Sequence, residues 1–249
     1  MDTEIKTYNP NKGKNLEIIV GNTTYLRIPI KTPLLTDKDS MLDLIKTYVA
    51  PHLKPGDNIF ISEKALAITQ GQIIKITDIK PTRLARFLAH HVHNHYGTDK
   101  FKGFGHGTPM AMELLVREAG VPRTLVAAAI AAITRPLGIK GAFYFIVGKR
   151  AKSVDCPMSF ILFPYTHYAK LPPHDPSGVA HTIQKTFGNE TVIIDANYQG
   201  VCSLGKSTRR LSEQFIYDVF RDNPLGQSDE MTPLCIVRKI TKGDSHSAV

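Results

Sequence analysis

The sequence has few cysteines and none of the long apolar segments that membrane proteins carry. Its three cysteines, Cys156, Cys202 and Cys235, are widely spaced and form no Cys-x-x-Cys pair, which argues against a disulfide framework. No apolar run approaches the roughly 20 residues of a membrane-spanning helix. The polar start MDTEIKTYNPNKGKN lacks an apolar signal core. We therefore expect a cytoplasmic protein that does not enter membranes.

Basic residues outnumber acidic ones, but they do not form blocks. The chain has 31 Lys and Arg against 22 Asp and Glu, a net charge of +9. This charge favours anionic partners such as nucleic acid, nucleotides, phosphates or polycarboxylates. The basic residues are spread out, and there is no basic arm, zinc finger or RNP motif of the kind that marks nucleic-acid binding. Charge alone does not choose between a polymer and a small anion.

Strand and helix patterns are mixed along the chain, without a regular strand–helix–strand alternation and without an internal repeat. The segment LEIIVGNTTYLRIPI, residues 16–30, alternates as two strands around a Gly-Asn turn would. Short apolar runs between turn residues predict further strands, in NIFIS (58–62), QIIKI (72–76), GAFYFIVGK (141–149), SFILFPY (159–165), VII (192–194) and PLCIVRKI (233–240).

Helices are predicted from apolar periodicity and from the capping residues at their ends. Their expected starts are Asp39 or Ser40, Pro81, Thr108 with Pro109 after it, Pro122, and Asp175 or Ser177, and a last helix covers 207–222. Pro51, Gly97 and Gly120 are expected to end helices. The alanine-rich helix that follows Pro122 is expected to pack closely inside the protein.

These patterns predict an α+β protein with mixed sheets and helices. We expect a single domain over residues 16–240, with a division into two lobes near residues 97–106. Residues 1–15 and 241–249 are expected to be tails.

A histidine run, HHVHNH at residues 90–95, raises the question of a zinc site. His91 and His95 are four residues apart, so on a helix they share one face, as in His-Glu-x-x-His sites. Val92 stands where the catalytic glutamate would follow His91, and no nearby Cys or Asp cluster supplies further ligands. The favoured interpretation is an exposed helix end, with a zinc hydrolase as an alternative.

A glycine-rich loop, KGFGHGTPMAM at residues 102–112, precedes one predicted helix. Unpaired backbone N–H groups at a helix start favour a bound anion, and Lys100 and Lys102 add positive charge. The loop has neither the Walker A pattern nor the Gly-x-Gly-x-x-Gly pattern after a strand. One hypothesis is an anion or substrate loop made by Gly103, Gly105, Gly107 and Thr108. The other is a flexible loop before a helix.

Three aspartates follow strands or stand beside turn residues: Asp155, Asp175 and Asp195. Taken singly, an aspartate beside Pro or Gly is more often a cap or a turn residue than a ligand. Two such carboxylates that converge at strand ends could instead hold Mg²⁺ or Mn²⁺, which prefer oxygen ligands and share them with phosphates. That arrangement would suit a basic protein that handles a nucleoside triphosphate.

Five segments, in order over most of the chain, resemble the coenzyme F-420:L-glutamate ligases, the γ-glutamyl ligases of the deazaflavin coenzyme. They are IPIKTPLLTDKDSMLDLI (28–45), PGDNIFISEKALAITQGQII (55–74), LPPHDPSGVAHTI (171–183), VIIDANYQG (192–200) and LGQSDEMTPLCIVR (225–238). The resemblance implies a γ-glutamyl-ligase-like fold and a homodimer.

The resemblance also implies an activity. A GTP- or ATP-dependent ligase would join L-glutamate to a carboxylate acceptor of the F-420 type through an acyl phosphate. Both steps build negative charge on phosphate oxygens, which explains the need for Mn²⁺ or Mg²⁺.

Carried over residue by residue, the resemblance implies a set of site residues but no assigned catalytic residue. The implied metal ligands are Asp155, Asp195 and Gln227. The implied nucleotide contacts are Thr32, Pro33, Leu34, Leu35, Glu63 and Lys64. A lysine there would offset phosphate charge.

The sequence departs from the family pattern at three places. Ala196 replaces a threonine after the metal aspartate, with Asn197 as a candidate to compensate; Ala67 and Ile68 replace a Ser-Lys pair; and Gln72 replaces an arginine. These departures indicate a divergent member. Two alternatives therefore stand beside the F-420 ligase: a folate-type polyglutamylating ligase, and a non-catalytic binding protein for nucleic acid or an anionic cofactor. Nucleic acid is the less favoured partner.

Overall fold

The structure, a computed structural model, describes residues 8–91, 105–156, 160–197, 200–226 and 228–240. It is α+β, as the sequence predicts. The chain divides into two compact units, of which the first joins residues 1–71 to residues 173–249 and the second is residues 72–172. The expected lobe division near 97–106 falls largely outside the described residues and stays a prediction, as does the single domain over 16–240.

The described strands, in chain order, are β1 (Glu17–Val20), β2 (Thr23–Ile30), β3 (Asn58–Ser62), β4 (Ile73–Lys75), β5 (Tyr168–Lys170), β6 (Glu190–Asn197), β7 (Gly200–Lys206) and β8 (Leu234–Lys239). The described helices are α1 (Met41–Leu44), α2 (Glu63–Thr69), α3 (Arg83–His91), α4 (Pro109–Ala119), α5 (Val121–Thr134), α6 (Ala142–Val147), α7 (Lys149–Lys152), α8 (Pro176–Phe187) and α9 (Glu213–Phe220). None of these helices combines the length and the apolar character that crossing a membrane requires.

The first unit is built on a six-stranded sheet with the order β1-β2-β8-β3-β6-β7. Its described neighbours are antiparallel except β3 and β6, which run parallel. The late strand β8 pairs with β2 on one side and with β3 on the other. Two strands from the start of the chain are therefore joined by a strand from near its end.

The central strands of this sheet are buried on both faces. Phe60, Val192 and Ile194 share one core cluster with Ile216, Val219 and Phe220 of α9. Alternate residues of a strand point to opposite faces, so Ile59, Ile61 and Ile193, which are fully buried as well, face the other side. Burial on both sides explains why these strands read as continuous apolar runs rather than as an alternation.

Helix α8 packs against β6 and β7 of the same sheet. Its N-cap is Asp175, whose carboxylate accepts a hydrogen bond from the N–H of Gly178 at 3.0 Å. Asp175 is therefore a helix cap, the commoner of its two interpretations.

The second unit combines an antiparallel pair of short strands, β4 and β5, with five described helices. Helix α4 is its centre: Met112, Leu115 and Val116 are buried against Leu88 of α3 and Val147 of α6. Thr108 caps α4 by accepting from the N–H of Ala111 at 3.3 Å, Pro109 is its first residue, and Gly120 follows its end. These capping predictions are confirmed.

Two strand predictions in this unit are wrong. The segment GAFYFIVGK contains helix α6, which begins after Gly141, a residue in the left-handed conformation (φ 85°). A strand would place Phe145 and Val147 on one face, but Phe145 is 88% exposed while Val147 is buried. The described residues of SFILFPY form bends and the start of a 3₁₀ turn, Tyr165–His167, without strand pairing.

The alanine-rich helix is also placed differently from the expectation. Helix α5 forms where predicted, but Thr124 and Ala127 are its only buried residues. Most of its other apolar side chains are exposed, among them Val121, Val126 and Ile133. The alanine content of the helix predicted close packing inside the protein. In the structure, only one narrow face of the helix contributes to the core.

Candidate functional site

One end of the six-stranded sheet collects several of the predicted site residues. Ile30, Leu234, Ile61 and Ile193 stand opposite one another across β2, β8, β3 and β6. Two residues beyond this row, towards the same edge, come Thr32, Thr232, Glu63 and Asp195. We call these four the sheet-end residues. They include one predicted metal ligand and two predicted nucleotide contacts, drawn from distant parts of the sequence.

Backbone hydrogen bonds hold the loops that carry these residues. The N–H of Thr32 donates to the carbonyl of Met231 at 2.9 Å, and the N–H of Ser62 donates to the carbonyl of Pro233 at 2.8 Å. The Thr232 hydroxyl donates to the carbonyl of Leu225 at 2.8 Å. The segment before β8 therefore fixes the loop after β2 and the turn after β3 in the same place.

Glu63 is the first residue of α2, directly after the end of β3. Its side chain is 2% exposed, and a carboxylate is favoured at a helix N-terminus. Its neighbour Lys64 is exposed on the same helix. A buried carboxylate beside an exposed lysine gives this turn one group of each charge.

The remaining predicted nucleotide contacts follow β2. Thr32 is 4% exposed and Leu35 is 6% exposed, whereas Pro33 and Leu34 face solvent. The Thr32 hydroxyl donates to the carbonyl of Pro33 at 2.9 Å. The segment therefore has two exposed residues between two buried ones.

Asp195 lies inside a strand rather than after its end, which corrects the expectation. Strand β6 continues to Asn197 because β7 pairs with it as far as Gly200. The parallel partner β3 ends earlier, at Ser62 opposite Ile194. Asp195 is therefore the first residue of β6 beyond the end of β3.

Asn197 lies on the same strand face as Asp195, two residues further on. Its side-chain amide donates to Oδ1 of Asp195 at 3.2 Å. Ala196, between them, points to the opposite face and packs against the core that includes α9. The chain lacks the threonine hydroxyl expected at position 196, but Asn197 supplies a polar group on the strand face that carries the Asp195 carboxylate.

Gln227 falls outside the described residues, but the side chain of Asn223 holds the loop that precedes it. The amide of Asn223 donates to the carbonyl of Ala196 at 3.0 Å and to the carbonyl of Gly226 at 2.8 Å. The loop that leads to Gln227 is therefore tied to the strand that carries Asp195. The sequence analysis missed Asn223, because nothing in the motif LGQSDEMTP extends to it.

Asp155 belongs to the second unit. Its backbone forms an isolated antiparallel bridge with Lys170, with N···O distances of 3.1 and 2.9 Å. The buried ammonium of Lys170 donates to the carbonyl of Ser153 at 2.7 Å. The carboxylate of Asp155 acts on the ionisation of His106 and Cys156.

His106 is a further titratable group that the sequence analysis did not single out. Burial lowers its pKa to about 4, and this outweighs a backbone hydrogen bond with Val154 and the charge of Asp155, which both raise it. Its Nε2 atom is buried without a hydrogen-bond partner among the described residues. The sequence signal that could have singled out His106 is its position between two glycines, just before the N-cap of a helix.

The predicted anion loop lies partly in this region. Gly105–Gly107 forms a 3₁₀ turn before α4, and Gly103 lies outside the described residues. Pro109 has no N–H to offer, and the N–H of Ala111 is used by the Thr108 hydroxyl. The helix start therefore satisfies part of its own donor set, and anion binding at this loop stays a prediction.

The zinc alternative has little support in the described residues. His91 Nδ1 lies 2.8 Å from the carbonyl oxygen of Phe87, within its own helix. His95 lies outside the described residues. The part of the chain that the structure describes contains no group of three or more His, Cys, Asp or Glu side chains placed to hold a metal.

A groove of about 360 Å³ lies in the first unit between α1, α2 and α8. Both of its acidic residues accept local hydrogen bonds: Asp175 caps α8, and the carboxylate of Asp39 accepts from the Thr36 N–H in the loop before α1, at 2.6 Å. This groove does not include the sheet-end residues.

The donor chemistry at the sheet end fits a hard divalent cation. Such ions prefer carboxylate and carbonyl oxygens, and Asp195 and Glu63 are carboxylate residues that each follow the last matched pair of β3 and β6. Asp195 and Glu63 fit such an ion in ligand type, while Gln227 and Asp155 stay predictions from the family resemblance.

A family model matches residues 29–140 of the chain, somewhat less than half of its length, and the family is described as F420-0:Gamma-glutamyl ligase. The matched range contains the loop after β2, strand β3 and the start of α2. The match supports the resemblance to this family over that part of the chain. The name of that family describes γ-glutamyl ligases of F420-0. A comparison with curated proteins finds no match.

Proposed function

We propose that this protein is a gamma-glutamyl ligase of the F420-0 type and that it depends on a metal ion and a nucleotide. It joins the amine of L-glutamate to a carboxylate of a deazaflavin acceptor of the F420 type and consumes GTP or ATP. The observation that supports this most is the shared sheet end of Thr32, Glu63 and Asp195. Of these, Thr32 and Glu63 lie within the segment that matches the family. We also propose a cytoplasmic homodimer.

The reaction balances in two steps. An oxygen of the acceptor carboxylate attacks the γ-phosphorus, the nucleoside diphosphate leaves, and an acyl phosphate forms. The glutamate amine then attacks the acyl carbon, phosphate leaves, and the nitrogen loses a proton as the amide forms. A bound Mg²⁺ or Mn²⁺ would neutralise charge on the phosphate oxygens in both steps.

The residues of this chain take up the tasks of binding and positioning. The carboxylate of Asp195 would hold the ion, with Gln227 and Asp155 as ligands that only the family resemblance implies. The exposed residues Pro33 and Leu34 would contact the nucleotide, and Lys64 would offset phosphate charge. Hydrogen bonds from Thr32 and Ser62 to the segment before β8 keep these groups fixed before substrate arrives, which lowers the cost of orienting it.

The test uses the full chain with Mn²⁺ or Mg²⁺, GTP or ATP, L-glutamate and one acceptor at a time. The acceptors are a deazaflavin of the F420-0 type and a folate, and the readouts are phosphate release and the product mass. We expect phosphate release that requires metal, nucleotide, glutamate and the deazaflavin together. A product only with folate would instead support the folate-type ligase.

The matched variants are Asp195→Asn, at the sheet end, and Asp43→Asn, an exposed aspartate of α1. We expect the first to lose activity while keeping its thermal midpoint, and the second to resemble the wild type. Full activity in Asp195→Asn would contradict the metal assignment. No turnover with any acceptor, together with steeply salt-dependent binding to DNA or RNA, would favour the binding protein.

A further inference from the structure

Helix α5 turns an apolar side to solvent. Leu125, Ala129 and Ile133 follow one another at four-residue spacing, so they share one side of the helix, and all three are exposed. Arg123 is the one charged residue in the sequence of this helix. A helix at a protein surface normally turns charged or polar side chains to water, and a helix that is apolar all round is normally covered. The outer side of α5 is therefore built like a contact surface.

The apolar surface continues beyond the end of α5. Leu137 and Ile139, in the turn that follows the helix, are 72% and 56% exposed, and Phe145 of α6 is 88% exposed. Helix α6 runs back along α5, since the guanidinium of Arg123 donates to the carbonyl of Ile146 at 2.6 Å. Large exposed apolar side chains that are grouped in this way mark interaction sites. We call six of them the hairpin surface: Leu125, Val126, Ile133, Leu137, Ile139 and Phe145.

The same hairpin carries charge of one sign. Residues 119–154 contain six Lys and Arg and no Asp or Glu. In the second unit, residues 72–172, 14 Lys and Arg stand against 5 Asp and Glu, whereas the rest of the chain has 17 of each. The whole net charge of +9 therefore belongs to the second unit. The six basic residues of the hairpin are all exposed: Arg123, Arg135, Lys140, Lys149, Arg150 and Lys152.

Apolar side chains beside an excess of positive charge favour one kind of partner. A second copy of this chain would bring together two units of the same strong charge, which repulsion opposes. Nucleic acid would satisfy the charge but would leave the aliphatic side chains in water, since its affinity comes from phosphate contacts and base stacking. A lipid bilayer with anionic headgroups satisfies both, because apolar side chains enter below the headgroups while Lys and Arg stay at the level of the phosphates.

We propose that the hairpin surface docks the protein on an anionic lipid bilayer. Helix α5 lies in the plane of the interface, with Leu125, Ile133 and the turn after the helix inserted. Its 14 residues make it about 21 Å long, too short for the roughly 30 Å hydrocarbon core, so the docking is peripheral. The negative surface potential of a cytoplasmic leaflet suits this arrangement. The inference is independent of the ligase reaction, because it uses none of the sheet-end residues.

The test measures binding of the full chain to sucrose-loaded vesicles by sedimentation. One set of vesicles is phosphatidylcholine alone, and the other contains phosphatidylglycerol as well. The apolar variant is Ile133→Gln with Phe145→Gln. Its matched control is Ile19→Gln with Tyr217→Gln, which replaces one aliphatic and one aromatic side chain that are exposed in the first unit.

A second pair of variants tests the charge. Lys140→Gln with Lys149→Gln removes two exposed lysines of the hairpin. The control, Lys38→Gln with Lys46→Gln, removes two exposed lysines of the first unit and changes the net charge of the chain by the same amount. A difference between these two variants therefore reports the position of the charge and not its total.

We expect the wild type to bind the vesicles that contain phosphatidylglycerol and to bind them less as salt is added, since salt screens the attraction to the headgroups. We expect the partition coefficient to fall at least about tenfold in the apolar variant and at least about fivefold in the charge variant, with no change in either control. No binding of the wild type to anionic vesicles would overturn the proposal, and so would equal binding to phosphatidylcholine alone.

Other results would assign the hairpin surface to a different role. A wild-type dimer that becomes a monomer in the apolar variant only, by sedimentation equilibrium, would assign it to a second copy of the chain and overturn the proposal. Wild-type vesicle binding by the apolar variant would leave charge attraction alone and would overturn it too. The replaced side chains are exposed, so we expect an unchanged thermal midpoint. If the apolar variant failed to fold, equal binding by the charge variant and its control would overturn the proposal.

Discussion

Glu63 and Asp195 each follow directly on the last matched pair of the parallel strands β3 and β6, in which Ser62 stands opposite Ile194. Parallel strands send their carboxyl ends to the same edge of a sheet, and in open α/β sheets ligands bind outside those ends. The chain builds this edge in a mixed sheet, through its one described parallel pair. Two carboxylates from distant segments thereby occupy corresponding positions.

Replacement of Glu63 tests this sheet end directly. For Glu63→Gln we expect kcat/KM for the nucleotide to fall about 10- to 100-fold, because a buried carboxylate is lost while the size of the side chain is kept. Steady-state phosphate release measures it. Glu17→Gln, on an exposed position of β1, is the control and should leave the rate unchanged. Wild-type kinetics in Glu63→Gln would remove Glu63 from the site.

An ion pair with a structural role joins two of the segments that resemble the family, residues 55–74 and 225–238. Arg238 donates to both carboxylate oxygens of Asp57, at 2.8 and 2.7 Å, and Asp57 is 2% exposed. The hydrogen bond to Asp57 is the main cause that raises the pKa of Arg238. Asp57→Ala leaves the guanidinium without its partner, so we expect a loss of about 3–5 kcal/mol in the free energy of unfolding.

Urea unfolding followed by circular dichroism measures that loss. The surface ion pair of Arg210 with Glu190, at 3.8 Å with an 86% exposed arginine side chain, is the control. Arg210→Ala should change the free energy of unfolding by less than about 1 kcal/mol. A similar small effect for Asp57→Ala would contradict the structural role of the Asp57–Arg238 pair.

His106 should make stability depend on pH in a defined window. Burial lowers its pKa to about 4 in the folded state, whereas in an unfolded chain the pKa of histidine is about 6.5. As pH falls from about 6.5 to about 4, the unfolded state gains a proton that the folded state does not. Stability should therefore fall with pH in this window, by up to about 1.4 kcal/mol per pH unit.

The measurement is urea unfolding at several pH values for the wild type and for His106→Asn. We expect the variant to have a smaller decrease in stability between about pH 6.5 and pH 4. His181→Asn, an exposed histidine of α8, should keep the wild-type profile. An identical pH profile in His106→Asn and the wild type would show that His106 titrates normally.

Gly205 should be intolerant of any side chain, because α8 approaches β7 at this residue. A Cβ at Gly205 would lie 2.4 Å from the carbonyl carbon of Pro176 and 2.5 Å from the nitrogen of Ser177. Both are backbone atoms at the start of α8, so the helix would have to move. We expect Gly205→Ala to cost at least about 2 kcal/mol in the free energy of unfolding.

The comparison for this variant is Gly188→Ala at the other end of α8. A Cβ at Gly188 would meet open space, but the backbone there has a φ of +79°, so alanine should cost only about 1 kcal/mol through backbone strain. Chemical unfolding of both variants distinguishes the cost of the close contact at Gly205 from the cost of backbone strain at Gly188. Equal losses in the two variants would argue against the tight approach of α8 to β7.

The strands of the sheet end could be predicted from sequence because each carries its own local signal. The runs around Ile30, Ile61, Ile193 and Leu234 are apolar, β-branched and bounded by turn residues, and each forms a strand. Their order and direction could not be predicted, because pairing between distant segments leaves no local trace. The end of β6 was predicted too early for the same reason. Pairing with β7 extends β6 beyond Asp195, and this pairing cannot be predicted from the local sequence.

The segment that became α6 shows the opposite case. Phe143, Tyr144 and Val147 favour a strand locally, but three- and four-residue spacing lets them pack against the helical core of the second unit. A short apolar run is compatible with either structure, and tertiary packing decides between them. The hydrogen bond from Asn223 to Ala196 could not be predicted from the local sequence either, because it links a loop to a strand far earlier in the chain.

The position of β8 between β2 and β3 has a consequence for the order of assembly. During synthesis, β2 and β3 leave the ribosome long before their common neighbour, and they have no pairing with each other in the described sheet. Until β8 arrives, both expose unpaired backbone edges, a state that invites association with other chains. The whole second unit is synthesised in that interval. We therefore expect the first unit to need protection by chaperones until its last strand closes the sheet.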